Sequence, residues 1–313
     1  MKQKLLCAFL LATSGISQSA NVSAPEPERA IWIWEKDSYA MLEDRSAADD
    51  AIRFLNSKHI NTIYLYADTF DKQNLIVSQP KMYSRLIQRL HQEGIHTYAL
   101  LGSAYLHTEE YILPEHKNAA LAMMQRVLNY NFKAATDERF DGVNLDIEPH
   151  ILDLWPAQKM QLLEWYLDMS QSLMELKKAS GQTLSVGPAI PFWLDSIELE
   201  WHGQTKRVSD HVQDIYDYVA LMDYRDHAEG TDGIISHAKD ELIYAGLHNR
   251  KVVIGLEVTP NEIQKVSFNH LTEQDMEREL SLAGRGFADQ AAFAGFVIHH
   301  YRGYRTWLEQ NTP

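Results

Sequence analysis

The chain has 313 residues, of which 45% are hydrophobic and 23% are charged, a balance typical of one globular domain with ample material for a core. Its net charge is -14, from 29 basic and 43 acidic side chains. An acidic surface disfavours nucleic acid and anionic membranes as partners, because phosphate binding requires clustered Lys and Arg. We therefore expect a soluble protein with a neutral or cationic substrate, and the oligomeric state stays open.

The first residues predict a secretory signal peptide, which with the start of a linker occupies residues 1–24. Lys2 and Lys4 form a basic segment, and the apolar run 5–12 is too short to span a bilayer. Small and polar residues follow, as expected around a cleavage site, although a retained anchor is the alternative. The sequence thus predicts an exported protein, periplasmic or secreted, that is free of the membrane once the signal is cleaved.

Eight short apolar runs recur along the rest of the chain, and several are almost continuously apolar, as in parallel strands covered on both faces. We predict strands at 30–34, 62–66, 96–101, 142–147, 184–188, 218–222, 251–256 and 295–299. Amphipathic stretches follow these runs, which predicts helices at 47–56, 81–93, 117–130, 157–180, 209–215, 234–245, 272–283 and 304–309.

Eight alternating units predict a single (β/α)8 TIM barrel over residues 25–313. An open doubly wound sheet is the alternative. That fold normally carries a Gly-rich phosphate turn after its first strand, whereas the segment 32–36 contains no glycine. Dinucleotide binding is therefore not expected.

Cysteine and histidine usage argues against a metal or a cofactor. The only cysteine, Cys7, lies in the predicted signal peptide, so the mature chain would lack disulfides and thiolate ligands. His299 and His300 are adjacent on a predicted strand and should point to opposite faces, so they cannot bind one ion inside the barrel. We expect neither a metal nor a cofactor.

The segment Phe140–His150, around the fourth strand, carries the strongest functional signal. Alternation along a strand turns Asn144, Asp146 and Glu148 toward the barrel axis, in a line that rises to the C-terminal mouth where barrel enzymes act. Asp146 and Glu148 would lie about 7 Å apart on one face. Two crowded, partly desolvated carboxylates raise each other's pKa, which yields an acid able to protonate a glycosidic oxygen. A structural polar ladder is the alternative.

This segment resembles the DxxDxDxE signature of the family 18 glycoside hydrolases, the chitinase and endo-N-acetylglucosaminidase group. Asp141, Asp146 and Glu148 match its first, third and fourth acids, and Asn144 stands where an Asp is usual. The resemblance implies that Glu148 protonates the leaving group and that Asp146 orients the acetamido group of the substrate, which attacks the anomeric carbon. We count Asp141 and Asn144 among the substrate-binding candidates.

The sixth strand end is similar to the MxYD motif of the same family. Met222 and Tyr224 match it, whereas Arg225 replaces the final Asp, and this bears on recognition of an N-acetyl sugar. Tyr224 is a catalytic candidate that would hydrogen-bond a substrate oxygen, with a packing role as the alternative. Asp223 and Arg225 flank it, and we expect one of them to reach the site.

Glu257 ends the seventh strand and should point into the mouth, because it shares a face with Val253 and Gly255. The pair of Glu148 and Glu257 is similar to the acid/base and nucleophile of the clan A retaining glycosidases. A carboxyl separation of about 5–5.5 Å would indicate a glycosyl-enzyme intermediate, and about 6.5–9.5 Å would indicate inversion. The alternative is a salt bridge to Arg225 or to another cation of the mouth.

Aromatic and polar residues at other strand ends suit a glycan cleft, because aromatic faces stack on sugar rings. These candidates are Trp34, Tyr66, Trp193 and Tyr301, joined by Asp68 and His299 as polar contacts. The leading hypothesis is a secreted glycoside hydrolase with a carbohydrate substrate. The alternatives are a non-catalytic glycan-binding barrel and, last, hydrolysis of an amide or ester bond, for which the chain lacks a G-x-S-x-G nucleophile motif.

Overall fold

The computed structural model describes residues 27–311, so the predicted signal peptide lies outside the described residues. The strands are Glu28–Ile33 (β1), Thr62–Tyr66 (β2), His96–Leu101 (β3), Gly142–Leu145 (β4), Ser185–Pro191 (β5), Glu198–Trp201 (β6), Gln204–Arg207 (β7), Tyr218–Met222 (β8), Lys251–Glu257 (β9) and Phe293–His299 (β10). All but β6 and β7 form one closed parallel barrel, in which β1 pairs with both β2 and β10. The predicted TIM barrel is confirmed, and the open sheet is excluded.

Helices surround the barrel. They are Glu35–Glu43 (α1), Arg45–Ser57 (α2), Leu75–Ser78 (α3), Pro80–Gln92 (α4), Lys117–Lys133 (α5), Trp155–Ser180 (α6), Val208–Ile215 (α7), Ile234–His237 (α8), Lys239–Leu247 (α9), Glu273–Gly286 (α10) and Tyr301–Asn311 (α11). Each predicted helix is present, except that the stretch 234–245 is divided between α8 and α9. Among the described helices, none is both long and apolar enough to cross a membrane.

The sequence patterns missed two helices, α1 and α3, and two strands, β6 and β7. α1 follows β1 directly and buries Tyr39, Met41 and Leu42, which lie between the first predicted strand and the first predicted helix. The antiparallel hairpin of β6 and β7 turns at His202 and Gly203, both with positive φ. Its strands have four residues each and are largely polar, so the apolar periodicity that revealed the barrel strands is absent from them.

The lower half of the barrel interior is filled by aromatic rings. Trp32 contacts Tyr64, Tyr64 contacts Tyr98, and Tyr98 contacts Tyr218, with ring centroids 5.5, 5.6 and 5.8 Å apart. A Cβ at Gly142 would lie 2.6 Å from the ring of Tyr98, so only glycine fits at the start of β4. We call these four rings the aromatic floor, because the upward-facing side chains of the strands stand above it.

Glu28 lies below the aromatic floor, at the N-terminal end of the barrel. Tyr64 Oη donates a hydrogen bond of 3.0 Å to its carboxylate. Burial raises the pKa of Glu28 from 4.5 to about 7, against the smaller lowering effects of Tyr64 and His96. The folded chain therefore holds a proton on Glu28 that the unfolded chain would release.

This proton should make stability depend on pH. Because the folded pKa is raised, the contribution of Glu28 is fully present below its unfolded pKa and is lost as the pH rises through about 7. Urea unfolding at about pH 5 and about pH 8.5 should show that the wild type loses up to about 3 kcal/mol more stability than Glu28→Gln. The exposed Glu115→Gln is the control, and equal pH dependence in wild type and Glu28→Gln would contradict the expectation.

Candidate active site

The end of β4 places two acids above the aromatic floor. The backbone N–H of Asp146 donates to Leu101 O at 2.7 Å, so the pairing of β4 with β3 continues past the last strand residue. Gly102 makes this approach feasible. A Cβ there would lie 2.3 Å from the carbonyl oxygen of Asp146, and Gly102 has a φ of +94°. Asp146 and Glu148 thus follow Asn144 at the C-terminal end of the barrel, the end where we expected them.

Burial dominates the electrostatics of both acids. Asp146 is 9% exposed, and burial raises its pKa well above the ordinary value, with further increases from the charges of Glu148 and Glu35. The side chain of Glu148 is 21% exposed. Burial also raises its pKa, Glu109 adds to the rise, and His299 opposes it. The pair therefore retains protons at a pH where an exposed carboxyl group would have lost its own.

Two further acids, Glu35 and Glu109, were missed by the sequence reasoning. Together with Asp146 and Glu148 they form what we call the acidic wall of the mouth. Glu35 is the first residue of α1, is 8% exposed, and accepts a hydrogen bond from Ser103 Oγ. Glu109 is equally buried, and its Oε2 has no hydrogen-bond partner among the described residues. Both follow barrel strands, so position after a strand end was the signal that could have found them.

Glu257 closes β9 and is held by four hydrogen bonds. Its Oε1 accepts from the backbone N–H of Val258 at 2.8 Å and from the N–H and Oγ1 of Thr259 at 2.6 and 2.7 Å. Its Oε2 pairs with His299 Nδ1 at 2.8 Å. Burial acts to raise the pKa of Glu257, but the bonds from His299 and Thr259 outweigh it, so the net pKa is lowered and the group is ionised. The side chain that meets Glu257 in the mouth is thus His299, and not Arg225.

The imidazole of His299 stands among aromatic rings at the end of β10. Trp32 and Trp34 meet it edge-on with centroids 6.0 Å away, and Tyr224 stacks on it at 5.9 Å. Trp34 Nε1 lies 3.4 Å from His299 Nε2. Burial strongly raises the pKa of Tyr224, and the neighbouring charges of Glu257, Asp146 and Glu148 raise it further, so the phenol stays neutral. Trp34, Tyr224 and His299 therefore lie together in the mouth.

A second aromatic group lines the other side of Glu148. His150 Nε2 lies 3.4 Å from Glu148 Oε2, and burial lowers the pKa of His150. The ring of His150 contacts Trp193 at 5.2 Å and Trp155 at 6.2 Å. Trp193 is thus at the rim of the mouth, as expected, whereas His150 and Trp155 were missed.

Asp141 lies at the wrong end of the barrel for the role we gave it. It precedes β4, and its Oδ2 accepts from the backbone N–H of Thr97 at 2.7 Å and pairs with His91 Nε2 at 2.9 Å. Burial would raise the pKa of Asp141, but hydrogen bonds from His91, His96 and Thr97 outweigh it and hold the pKa below the ordinary value. Its contacts fasten β4 to β3 and α4, remote from any substrate in the mouth.

Asp223 and Arg225 point away from the mouth, because alternation turns Tyr224 inward and its two neighbours outward. Asp223 is fully buried and pairs with His237 Nδ1 at 2.9 Å. Arg225 donates to Asp232 at 2.9 Å and lies over the ring of Phe192 at 5.1 Å. Neither residue reaches the site, so the expectation that one of them would do so was wrong.

Three other substrate-binding candidates make structural contacts instead. Tyr66 is buried, and its hydroxyl donates to the carbonyl of Thr69 at 3.0 Å. Asp68 is also buried and accepts from Arg126 on α5. Tyr301 begins α11 and packs against Phe54 of α2, outside the barrel. Tyr66 shares the inward face of β2 with Tyr64, but burial and these contacts keep all three side chains from a substrate, which a position at a strand end did not reveal.

The mouth is open to solvent at three of the residues described above. The side chains of Glu148, His150 and His299 are 21, 25 and 26% exposed. Other surface grooves lie away from the mouth, including one of about 380 Å³ between α4 and α5 and one of about 500 Å³ beside Glu28 and Tyr98. Within residues 27–311, no group of three or more His, Asp or Glu side chains is arranged to hold a metal ion.

Solved structures share this architecture. The barrel is similar to that of family 18 chitinases. The ICChI chitinase from Ipomoea carnea is 14% identical, with 90% of this chain and 98% of that chain covered and a TM-score of 0.51. A family 18 chitinase from Cycas revoluta, solved with (GlcNAc)3, is 11% identical with the same coverage and a TM-score of 0.54, and its complex with allosamidin gives 0.55. At the level of sequence, no family model and no curated protein matches the chain. The resemblance to family 18 glycoside hydrolases that the β4 motif suggested is thus confirmed at the level of the fold.

Asn144 has a local reason to be an amide. Its Oδ1 accepts from Trp32 Nε1 at 2.9 Å, and its Nδ2 donates to the carbonyl of Gly187 and to Tyr218 Oη, both at 3.4 Å. An ionised Asp could accept from Trp32 but could not donate to a carbonyl. Asn144 is fully buried and supports the aromatic floor beneath the acids, without exposure to a substrate.

We predict that Asn144→Leu destabilises the fold by about 1–3 kcal/mol, because it leaves the buried N–H of Trp32 without an acceptor. Urea unfolding followed by circular dichroism measures the loss. Asn129→Leu, at an exposed position of α5, is the matched control and should change stability by less than about 0.5 kcal/mol. Equal stability of wild type and Asn144→Leu would refute the structural role of this amide.

Proposed function

We propose that this chain is an exported glycoside hydrolase in which Glu148 is the general acid and Asp146 assists it. The observation that carries the proposal is the desolvated pair of acids at the C-terminal end of β4, with raised pKa values and an open face at Glu148. A glycosidic oxygen is a poor leaving group unless it is protonated as the bond breaks. A carboxyl group that keeps its proton near neutral pH meets that need.

Asp146 supports Glu148 by keeping its own proton. It is the more buried of the two acids, and its pKa is raised by burial first and by Glu148 second. When Glu148 gives its proton to the leaving group, it becomes an anion beside Asp146. A protonated Asp146 adds no second charge at that moment, whereas an ionised Asp146 would repel the new carboxylate.

The substrate class proposed is a glycan. Trp34 on one side of the acids and Trp193 on the other offer aromatic surfaces of the kind on which sugar rings stack. The Cycas revoluta enzyme of similar fold was solved with (GlcNAc)3 and with allosamidin, which makes oligomers of N-acetylglucosamine the first substrates to test. The signal-like N-terminus supports export to the periplasm or the medium as part of the same proposal.

Glu148→Gln should abolish hydrolysis while leaving the fold intact. The amide has the shape of the acid but cannot transfer a proton, so kcat on chitohexaose should fall by at least about 10²-fold. Product formation is measured by chromatography, and binding of chitohexaose is measured by calorimetry on the same variant. Glu200→Gln, exposed on the β6–β7 hairpin, is the control for mutation itself.

The outcomes of this test separate the competing functions. Full activity in Glu148→Gln would remove this residue from the mechanism. Binding of chitohexaose by the wild type without cleavage would favour the glycan-binding barrel. If neither binding nor cleavage is found with chitohexaose, glucosamine oligomers or a panel of chromogenic glycosides, the glycan hypothesis fails.

The pH dependence of kcat should carry the signature of the acidic wall. Activity requires protonated Glu148, so kcat should fall as the pH rises through the pKa of Glu148, which burial lifts above 4.5. Glu109 contributes to this rise. Glu109→Gln should therefore lower the pKa of Glu148 and move the alkaline limb of the profile to lower pH. The neighbouring, exposed Glu110→Gln is the matched control, and identical profiles for the two variants would contradict the assignment.

A further inference from the structure

Three side chains at the ends of neighbouring strands are joined by hydrogen bonds along one side of the mouth. Glu257 ends β9, His299 ends β10, and Trp34 directly follows β1. Glu257 Oε2 pairs with His299 Nδ1 at 2.8 Å, and Trp34 Nε1 donates to His299 Nε2 at 3.4 Å. Because β10 lies between β9 and β1, each contact joins adjacent strands. We call these three residues the Glu–His–Trp chain.

The Glu257 end of the Glu–His–Trp chain is held firmly. Oε1 accepts hydrogen bonds from the backbone N–H of Val258 at 2.8 Å and from the N–H and Oγ1 of Thr259 at 2.6 and 2.7 Å. The side chain of Glu257 is 9% exposed, so little water competes for these donors. With Oε1 fixed, Oε2 is directed at His299. These contacts fit a carboxylate that orients another side chain.

The two contacts of His299 define its tautomer. The ionised carboxylate of Glu257 can only accept, so His299 Nδ1 carries the proton. Trp34 Nε1 can only donate, so His299 Nε2 is the acceptor. Both ring nitrogens are therefore used within the chain. His299 transmits the fixed position of Glu257 to the indole of Trp34.

Trp34 is held by its backbone and by the polar edge of its ring. Its carbonyl oxygen accepts from the N–H of Ser38 at 2.9 Å, at the start of α1. The indole N–H lies in the plane of the ring, so its contact turns this edge toward His299, and the two rings meet at 76°. Trp34 packs partly on the core and is otherwise exposed. Because its N–H is already paired, the exposed part is apolar ring surface.

Resting on the proposed function, we propose that Trp34 is a sugar-stacking residue and that Glu257 and His299 are the positioning residues that orient it. Glu35 of the acidic wall is the next residue after Trp34, so a sugar on the indole would lie beside the acids. The ring faces of N-acetylglucosamine and glucosamine carry C–H groups, which pack well on an indole. An indole that is oriented before binding spares the cost of ordering it on the ligand.

Glu257→Gln tests the Glu–His–Trp chain through the tautomer of His299. The three donors at Oε1 hold the amide oxygen there, so the new NH2 group replaces Oε2 and donates to His299 Nδ1. The proton of His299 then moves to Nε2, which can no longer accept from Trp34. Nitrogen-15 NMR should show this exchange of the protonated nitrogen and a shifted indole N–H signal, which Trp34→Phe identifies. Glu200→Gln is the control. An unchanged indole signal in Glu257→Gln would overturn the inference.

Binding of chitohexaose tests what the chain does. Calorimetry in the Glu148→Gln background avoids cleavage of the glycan. Trp34→Ala should weaken binding by about 10- to 100-fold. Glu257→Gln and His299→Phe should weaken it by about 2- to 10-fold, the cost of ordering a released side chain. His299→Gln should retain most of the affinity, because one amide can donate to Glu257 and accept from Trp34. His248→Phe is the control, since His248 is exposed just before β9, at the other end of the barrel.

A double-mutant cycle separates positioning from general damage to the fold. If His299 acts through Trp34, His299→Phe should weaken binding no further in a chain that already carries Trp34→Ala. Additive losses, or unchanged affinity in either single variant, would overturn the inference. Circular dichroism checks folding, and Glu257→Gln repeats the cycle if His299→Phe does not fold.

Failure of the proposed function gives different results. Absence of binding to chitohexaose and to the other glycans named above, or full activity in Glu148→Gln, would defeat the hydrolase proposal itself. Binding that is indifferent to Trp34 or His299 would defeat only the role of the Glu–His–Trp chain. The two failures are therefore distinguishable.

Discussion

The structure depends on how a barrel strand distributes its side chains between two environments. Every second residue of β4 faces a closed interior, so Asn144, Asp146 and Glu148 leave bulk water at successive heights. The amide at the lowest height accepts from Trp32 and donates to Tyr218, whereas among the described residues no hydrogen bond reaches the carboxyl group of Asp146, and burial raises its pKa. The chemistry proposed for the mouth follows from this difference between a satisfied polar group and an unsatisfied acidic one.

The carboxyl groups on the two sides of the mouth have pKa values shifted in opposite directions. On the β4 side, burial and like charges raise the pKa values of Asp146 and Glu148. On the β9 side, backbone N–H groups and His299 lower that of Glu257. One side therefore holds a proton to give, and the other holds a fixed negative charge beside an imidazole. Environments that push titratable groups apart in this way are typical of sites for acid and base catalysis.

Strand alternation predicted much of the site from the sequence. It placed Asp146, Glu148, Tyr224 and Glu257 in the mouth, because each lies an even number of residues from a strand position that faces the barrel interior. Asp141 became a candidate through the resemblance to the DxxDxDxE signature and not through alternation, which turns it to the opposite face from Asn144, and its position before β4 puts it at the N-terminal end of the barrel. Applied strictly, alternation also turns both neighbours of Tyr224 outward, so it argues against Asp223 and Arg225 alike, as the structure shows.

The sequence pattern of one strand did not reveal the partner of a site residue on the neighbouring strand. His299 and Glu257 are 42 residues apart and meet only because β10 and β9 are in register at these two positions. Glu35 and Glu109 enter the mouth from segments after β1 and β3, where no periodic pattern applies. Register between neighbouring strands is a property of the closed sheet, and a single strand's pattern does not contain it.

The aromatic floor seals the barrel from below. Its four rings contact one another in series, and together with the buried amide of Asn144 they pack between Glu28 and Asp146. On the proposed function, a glycan would lie across the C-terminal end of the barrel, with the bond to be broken next to the acids. Its products would leave at that same end.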